Sequence, residues 1–238
     1  MSGLSVLFAV LCYMAGFVFL AGFLVKIYGY ASTPAPLKIP TTPAPTTKGG
    51  VALRLAGEVL LFTSLFKGNK WTWLGGYVFH VAFAVVIFRH LRYFLHPVPE
   101  VIAYLGPAGI WAGVILLGAA GYLFARRLWV DRARYISSGA DFFALSLIGL
   151  IAATGLLMKF VIRTDVAMVK DFMMSVITFS PRQMPEDPMF MLHLGLVILL
   201  MVYFPFSKLM HLGGIFFSPT RNQADDCRER RHVNPWRA

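Results

Sequence analysis

The stretch GYVFHVAFAVVIFRHLRYFLHP, residues 76–97, decides how this chain folds. It is apolar enough to cross a membrane, yet it carries histidines at positions 80, 90 and 96. A helix of about 20 apolar residues is long enough to span the hydrocarbon core of a bilayer. Because a polar side chain without a partner is costly in lipid, we expect the histidines inside this span to have one.

The composition of the whole chain is typical of a membrane protein. Of its 238 residues, 58% are hydrophobic and 14% are charged, and the mean hydropathy is +0.67. Five apolar runs are long enough for tilted transmembrane helices, and they lack the alternation of barrel strands. The sequence therefore predicts an all-α integral membrane protein of five transmembrane helices, at about residues 4–28, 71–95, 107–126, 141–162 and 189–212. These helices form one membrane domain, residues 1–215, and a basic tail follows, residues 216–238.

The connections between the apolar runs differ in character. Residues 32–47, STPAPLKIPTTPAPTT, contain five prolines, which predicts an extended loop that is either a spacer or a partner-binding strap. Residues 51–71 and 164–179 have apolar positions at helical spacing, which predicts two amphipathic helices at the membrane surface. Thr164 or Asp165 is the expected N-cap of the second of these helices.

The distribution of positive charge predicts the orientation in the membrane. The formal net charge is +11, which we attribute to topology rather than to nucleic-acid binding. Sixteen lysines and arginines lie in connections 26–70 and 126–140 and in the tail from 208, against six in 89–106 and 159–188. Positive loops stay in the cytoplasm, so the sequence predicts a multi-pass protein of the cytoplasmic membrane with its N-terminus outside and its C-terminus inside.

The cysteines and the N-terminus exclude several other classes of protein. Cys12 and Cys227 lie in the first apolar run and in the tail, so no disulfide framework is expected. Two thiols are too few for an iron–sulfur cluster, and no CxxCH motif for covalent haem occurs. The start MSGLSVLFAV lacks the basic region of a cleavable signal peptide, so we expect the first run to be a retained span.

Helix geometry groups four histidines into two pairs. His80 and His90 are separated by about 15 Å of rise on the second span, and His193 and His211 by about 27 Å and five full turns on the fifth. The two spans are expected to be antiparallel. His80 then lies with His211 in the inner half of the membrane, and His90 lies with His193 in the outer half.

Two facing histidines at each of two depths suit two b-type haems, each with two histidine ligands. Neutral imidazole is a good iron ligand, and a porphyrin fits between the helices of a bundle. The expected separation of the irons is about 20 Å from the helix rise. The two histidine spacings differ by about 12 Å, which predicts either tilted helices or histidine pairs whose two members lie at different depths. Pro205, between the two histidines of the fifth span, can kink that helix.

Histidines in a membrane span can also have roles that involve no iron. A single histidine in a span often packs or lines a wet cavity, and histidines can relay protons in transporters, although no inverted repeat is evident. His96 is about 160° around the helix from His80, so we interpret it as an interfacial residue. His232 is expected to be solvated in the tail.

The histidine spacing resembles that of a known family. Five spans with H-x9-H on the second and H-x17-H on the fifth are similar to the membrane cytochrome b, or gamma, subunit of respiratory nitrate reductase (NarI-like). The sequence of residues 41–73, that of 79–94 (FHVAFAVVIFRHLRYF) and the tail HVNPW resemble more closely the DsrM-type subunit of the Dsr membrane complex of dissimilatory sulfur metabolism. The resemblance covers residues 1–215 and implies the haem pairs His80–His211 and His90–His193.

The resemblance also implies partners. Electrons would pass between a membrane quinone pool and a cytoplasmic iron–sulfur subunit of the heterodisulfide-reductase type (DsrK-like), in a complex with other membrane and periplasmic subunits. The chain has no catalytic residues of its own, so it would be the electron-transfer subunit of a quinone-linked oxidoreductase. The loop 32–70 and the tail, with Arg228, Arg230 and Arg231, are candidate docking segments, or simply positive cytoplasmic flanks. Alternatives are another quinol-oxidising subunit of the same superfamily and a stand-alone transmembrane b-type reductase.

Two arginines are further candidates for cofactor binding. Arg89 and Arg92 lie beside the outer histidine His90, where we expect them to pair with haem propionates. The resemblance implies a quinone site near the outer haem. The nitrate reductase subunit has a lysine on its third span there, but the corresponding stretch GPAGIWAGVILLG, residues 106–118, has none.

Overall fold

The computed structural model describes residues 1–34, 40 and 42–226, and every regular element in this part of the chain is helical. In chain order the α-helices are α1 (Gly3–Ser32), α2 (Lys48–Leu61), α3 (Thr63–Gly68), α4 (Lys70–His90), α5 (Glu100–Trp129), α6 (Asp131–Tyr135), α7 (Gly139–Leu157), α8 (Val166–Ile177), α9 (Pro188–Tyr203), α10 (His211–Gly214) and α11 (Pro219–Asn222). Helices α1, α4, α5, α7 and α9, some with a short 3-10 or π extension, are long and apolar enough to cross a membrane. The predicted all-α bundle with five candidate spans is confirmed.

Polar caps determine where several of these helices begin. Asn69 accepts a hydrogen bond from the backbone N–H of Thr72 at 2.9 Å, which starts α4. Ser138 and Asp141 form a capping box at the start of α7. The predicted surface helix over 164–179 is α8, and its N-cap is Asp165, which accepts from two backbone N–H groups.

The spans pack as a chain of neighbours rather than as a closed ring. Among the described helices, α4 packs on α5, α5 on α7, α7 on α9 and α9 on α1, whereas α4 and α9 have no comparable contact. We refer to the two ends of the bundle as the His80 end and the His90 end, after the two histidines of α4. One apolar core lies between α4, α5 and α7, and a second, centred on Phe172 and Met184, joins α1, α8 and α9 at the His90 end.

The fifth span is broken, which differs from the single helix expected over 189–212. Helix α9 ends at Tyr203, and a 3-10 turn containing Pro205 follows. Proline has no N–H to continue the helical hydrogen bonds, and Ser207 then adopts an extended backbone conformation. His211 therefore begins a separate short helix, α10, and the five-turn alignment with His193 does not apply. The break at Pro205 therefore accounts for the difference between the two histidine spacings.

The predicted surface helix over 51–71 is also divided. Phe62 joins α2 to α3 in the left-handed conformation, with φ 51° and ψ 46°, so the two helices form an elbow. The indole N–H of Trp73 donates to the carbonyl of Leu61 at 2.8 Å and ties this elbow to α4.

Several predictions fall outside the described residues. Residues 35–39 and 41 of the proline-rich loop and residues 227–238 of the tail belong to this group, so Cys227, His232 and the three tail arginines are not described.

The third span lies within the described residues. It begins at Glu100, seven residues before the predicted start, and includes Pro107.

Candidate functional site

The structure brings the four predicted histidines together in the two predicted pairs. The ring centroids of His80 and His211 are 5.9 Å apart, with an angle of 84° between the ring planes. Those of His90 and His193 are 6.4 Å apart, with an angle of 16°. Two facing imidazoles therefore lie at each of two levels of the bundle, about 15 Å apart along α4 by the helix rise.

Hydrogen bonds to the backbone fix the tautomer of three of these rings. The Nδ1 atoms of His80 and His90 lie 2.7 Å and 2.6 Å from carbonyl oxygens four residues earlier on α4, and that of His211 lies 2.9 Å from the carbonyl of Lys208. A carbonyl oxygen can only accept, so each Nδ1 carries the proton. The Nε2 lone pair of each ring is then available to a metal.

The fourth ring, that of His193, has the same tautomer, but its hydrogen-bond partner lies on a neighbouring helix. The Nδ1 atom of His193 lies 2.9 Å from the hydroxyl oxygen of Thr154 on α7. The hydroxyl proton is already directed to the carbonyls of Leu150 and Ile151, at 2.9 and 3.0 Å. Since a hydroxyl has one proton to donate and can also accept, Thr154 accepts the Nδ1–H of His193.

The distances within each pair fit one metal ion between the two rings. A metal–imidazole bond is about 2 Å long and the centroid lies about 1 Å beyond the nitrogen, so two rings on opposite sides of one ion have centroids about 6 Å apart. No group of three or more histidine, cysteine, aspartate or glutamate side chains suited to a metal occurs among the described residues. Two protein ligands for each site suit haem iron, because a porphyrin supplies the other four nitrogens. The slight contact, at most, between α4 and α9 agrees with a flat group between them.

The surroundings of the pairs are apolar and aromatic. His90 and His193 are half-buried, whereas His80 and His211 are more exposed. The rings of Phe62 and Phe79 contact His80 edge-to-face, with centroids 5.0 and 5.3 Å away. Such faces suit an apolar macrocycle better than a hydrated ion.

The two arginines predicted to bind propionates lie near His90 but engage other groups. Arg89 runs across Gly109 of α5, and its Nε–H donates to the carbonyl of Gly106 at 3.2 Å. The guanidinium carbon of Arg92 lies 5.9 Å from the ring centroid of Tyr93. His96 lies apart from both pairs and lines a surface cavity of about 520 Å³ beside α8.

Two residues that contact the histidines were not predicted from the sequence. In the sequence, Phe62 cannot be distinguished from the other apolar residues of the predicted surface helix. Its contact with His80 depends on the break between α2 and α3. Thr154 is the only residue with a hydroxyl in residues 147–157, LIGLIAATGLL, and a glycine follows it. A lone hydroxyl beside a glycine in a span is the sequence signal that could have identified it. Its contact with another span cannot be inferred from spacing within α7.

Comparison with known proteins identifies the family of this chain. Residues 62–222, which include all four histidines and Thr154, match the family described as nitrate reductase gamma subunit. The chain is 36% identical to the Hdr-like menaquinol oxidoreductase cytochrome b-like subunit of Archaeoglobus fulgidus, over 98% of this chain and 84% of that protein. A protein of the same description from Archaeoglobus profundus is 34% identical, over 99% of this chain and 84% of its own length. The chain therefore belongs to the nitrate reductase gamma subunit family of membrane cytochrome b subunits.

Proposed function

We propose that this chain is the dihaem cytochrome b subunit of a quinone-linked membrane complex. It carries electrons between menaquinol in the membrane and an iron–sulfur partner of the heterodisulfide-reductase type in the cytoplasm. The partner is DsrK-like, and the complex is of the Dsr type found in dissimilatory sulfur metabolism. The menaquinol and the partner type are supported by the descriptions of the two Archaeoglobus relatives.

The observation that carries the proposal is the paired geometry of the four histidines. His80 with His211, and His90 with His193, would supply the iron ligands of two b-type haems. A haem, when bound, supplies an iron centre that takes up and releases single electrons. The four Nδ1 hydrogen bonds leave each Nε2 unprotonated, so each ring already has the tautomer that ligation of iron requires.

We assign the two ends of the bundle to opposite sides of the membrane. The His80 end carries the more positive connections, which supports a cytoplasmic position for it and an outer position for the His90 end. The quinone is assigned to the His90 end, following the resemblance. No residue of the third span is assigned to it, since residues 106–118 contain no lysine.

The positive charge of the His80 end supports docking of an acidic partner there. Glu58 and Asp141, two acidic residues at this end, are already paired with Arg221 and Lys208. The exposed basic side chains of α3 to α6 include Lys67, Lys70, Arg132 and Arg134. A partner with an acidic face would be attracted to this surface, and its binding would weaken with salt.

Haem content tests the proposal directly. The intact complex should contain two b-type haems for each copy of this chain, measured by pyridine haemochrome absorbance against protein. The variants His80→Ala and His193→Ala should each lose one haem and keep the other. The matched control His96→Ala should keep both.

Two kinds of result would overturn the proposal. A purified complex without haem, or a His193→Ala variant that keeps both haems, contradicts the ligand assignment. Purification of a haem-loaded chain that never carries an iron–sulfur protein favours the stand-alone reductase instead.

A further inference from the structure

The two histidine pairs differ in one geometric property. The ring planes of His80 and His211 are nearly perpendicular, at 84°, whereas those of His90 and His193 are nearly parallel, at 16°. The two rings on α4 are held in the same way, each through Nδ1 to the carbonyl four residues earlier. The rings that face α4 are held differently, His211 by its own segment and His193 by α7.

Three features place the His193 ring against α7. Thr154 is 5% exposed, and its hydroxyl oxygen is 2.9 Å from Nδ1 of His193. The next residue, Gly155, presents bare backbone to the ring, since a Cβ there would lie 3.3 Å from Cε1 of His193. The hydroxyl of Thr154 cannot turn freely, because its proton is directed to the carbonyls of its own helix. The ring is therefore held at one edge by a buried acceptor of fixed direction.

We propose that Thr154 is a positioning residue that holds the imidazole of His193 parallel to that of His90. The inference rests on the proposed function, because the pair acts on electron transfer only as iron ligands. By fixing one ring plane, Thr154 makes the outer centre electronically different from the inner one. It also accepts the Nδ1–H of a ligand, which strengthens the donation of the ring to iron and stabilises the oxidised state.

The orientation of two axial imidazoles has a spectroscopic consequence. Parallel ring planes donate mainly into one of the two iron d orbitals of π symmetry and separate their energies, whereas perpendicular planes leave the two nearly equal. In the oxidised protein, the outer centre should therefore give a rhombic low-spin EPR signal. The inner centre should give a highly anisotropic one. Axial ligands are one of the means by which a protein controls a haem.

The variant Thr154→Val tests the role of the hydroxyl, because valine keeps the size and removes the acceptor. EPR of the intact oxidised complex should show the outer signal shifted or broadened toward the anisotropic form, with the inner signal unchanged. Redox titration should show the outer centre easier to reduce. The expected change is about tenfold in its ratio of reduced to oxidised form at a fixed ambient potential, about 59 mV for one electron.

Graded and control variants separate positioning from general loss of stability. Thr154→Ser keeps the hydroxyl and should retain the wild-type signal, and Thr154→Cys, with a weak sulfur acceptor, should lie between serine and valine. Should valine prevent haem binding at the outer site, the order of the serine and cysteine variants decides the question. Ser175→Ala removes another buried hydroxyl, on α8 at the same end, and should leave both signals unchanged.

Failure of this inference can be told apart from failure of the proposed function. Two haems in the wild type with an outer signal that does not respond to Thr154→Val would overturn the role of Thr154 alone. Equal shifts of both signals would also overturn it, since Thr154 contacts only one pair. A wild-type complex without haem would overturn the proposed function itself.

Discussion

At the residue scale, the site depends on the hydrogen-bond acceptor of each histidine Nδ1, because that acceptor leaves Nε2 as the nitrogen with a lone pair. Four Nδ1 atoms have hydrogen-bond partners, and three of these partners are backbone carbonyls of the segment that carries the histidine. Any amino acid supplies such a carbonyl, so no side-chain substitution removes these bonds directly. Thr154 is the exception, and the His90–His193 pair is therefore the one that a point mutation can adjust without removing a histidine.

Glycine at position 109 lets α4 and α5 approach each other next to His90. The side chain of Arg89 crosses α5 at this point, and a Cβ on residue 109 would lie 2.9 Å from both Cβ and Cγ of Arg89. Gly109→Ala should therefore push the helices apart or displace Arg89 from the carbonyl of Gly106. The expected loss of stability is about 1–3 kcal/mol, as for other overpacked sites.

Thermal unfolding of the purified complex in detergent, followed by near-UV circular dichroism, measures this effect. Gly118→Ala is the matched control on the same helix, because among the described residues no atom of another helix lies within 4 Å of a Cβ at that position. Alanine has a higher helix propensity than glycine, so the control should be neutral or slightly stabilising. Equal melting temperatures for the two variants would show that the close approach at Gly109 does not matter.

At the element scale, the sequence indicated where helices lie better than where they break. Apolar periodicity predicted five spans and the surface helices, because burial in lipid constrains every residue of a span. The break after Tyr203 was expected only as a kink, because proline is permitted in spans where other groups satisfy the freed carbonyl. The elbow at Phe62 was not expected at all, since phenylalanine does not favour the left-handed conformation. Both departures adjoin the pair at the His80 end, so the ligand pairing was predictable while its support was not.

The elbow between α2 and α3 is held by a nearly buried carboxylate. Glu58 is 9% exposed and accepts hydrogen bonds from the backbone N–H and the hydroxyl of Ser64. An amino group of the Arg221 side chain lies 3.7 Å from the same carboxylate, so α11 is joined to α2. Burial raises the pKa of Glu58, whereas the hydrogen bonds from Ser64 and the charge of Arg221 lower it. The lowering is the larger effect, so the pKa of Glu58 lies below the usual 4.5.

Glu58→Gln should therefore destabilise the protein in a pH-dependent way. A carboxylate whose pKa is lower in the folded state stabilises the fold at pH values above about 4.5, and this contribution disappears as the pH falls through the folded-state pKa. At neutral pH the variant should be less stable by about 1.5–3 kcal/mol, the usual range for a hydrogen bond to a charged group. The difference should vanish in acid, where the wild-type side chain is also neutral.

Melting temperatures of wild type and variant between pH 7 and pH 3 test this expectation. Glu186→Gln serves as a control, since Glu186 is an exposed residue at the opposite end of the bundle. Its substitution should change stability by less than about 0.5 kcal/mol at any pH. A constant difference between wild type and Glu58→Gln over the whole range would mean that the charge of Glu58 is not involved.

At the scale of the whole molecule, the asymmetry of charge is the strongest indication of function after the histidines. At the His80 end, Asp141 pairs with Lys208 at 2.7 Å and Glu58 lies 3.7 Å from Arg221, while Lys67 and Arg134 are exposed. At the His90 end, Arg182 pairs with Asp171 at 2.7 Å, and connections 89–106 and 159–188 together contain six basic and five acidic residues. The proposed function accounts for such a difference between the two ends, because it places a quinone at one end and a soluble partner protein at the other.

The orientation that follows from this asymmetry can be tested with single cysteines. In a background with Cys12→Ser and Cys227→Ser, the variant Ser180→Cys places a thiol on an exposed residue of the His90 end. Tyr135→Cys places one at the His80 end, where the side chain it replaces is 92% exposed. Because positive connections are retained in the cytoplasm, a membrane-impermeant maleimide added to intact cells should label Ser180→Cys only. Tyr135→Cys should react after permeabilisation, and the cysteine-free background should stay unlabelled. The reverse labelling pattern would contradict this orientation. It would place His90, His193 and Thr154 on the cytoplasmic side of the membrane.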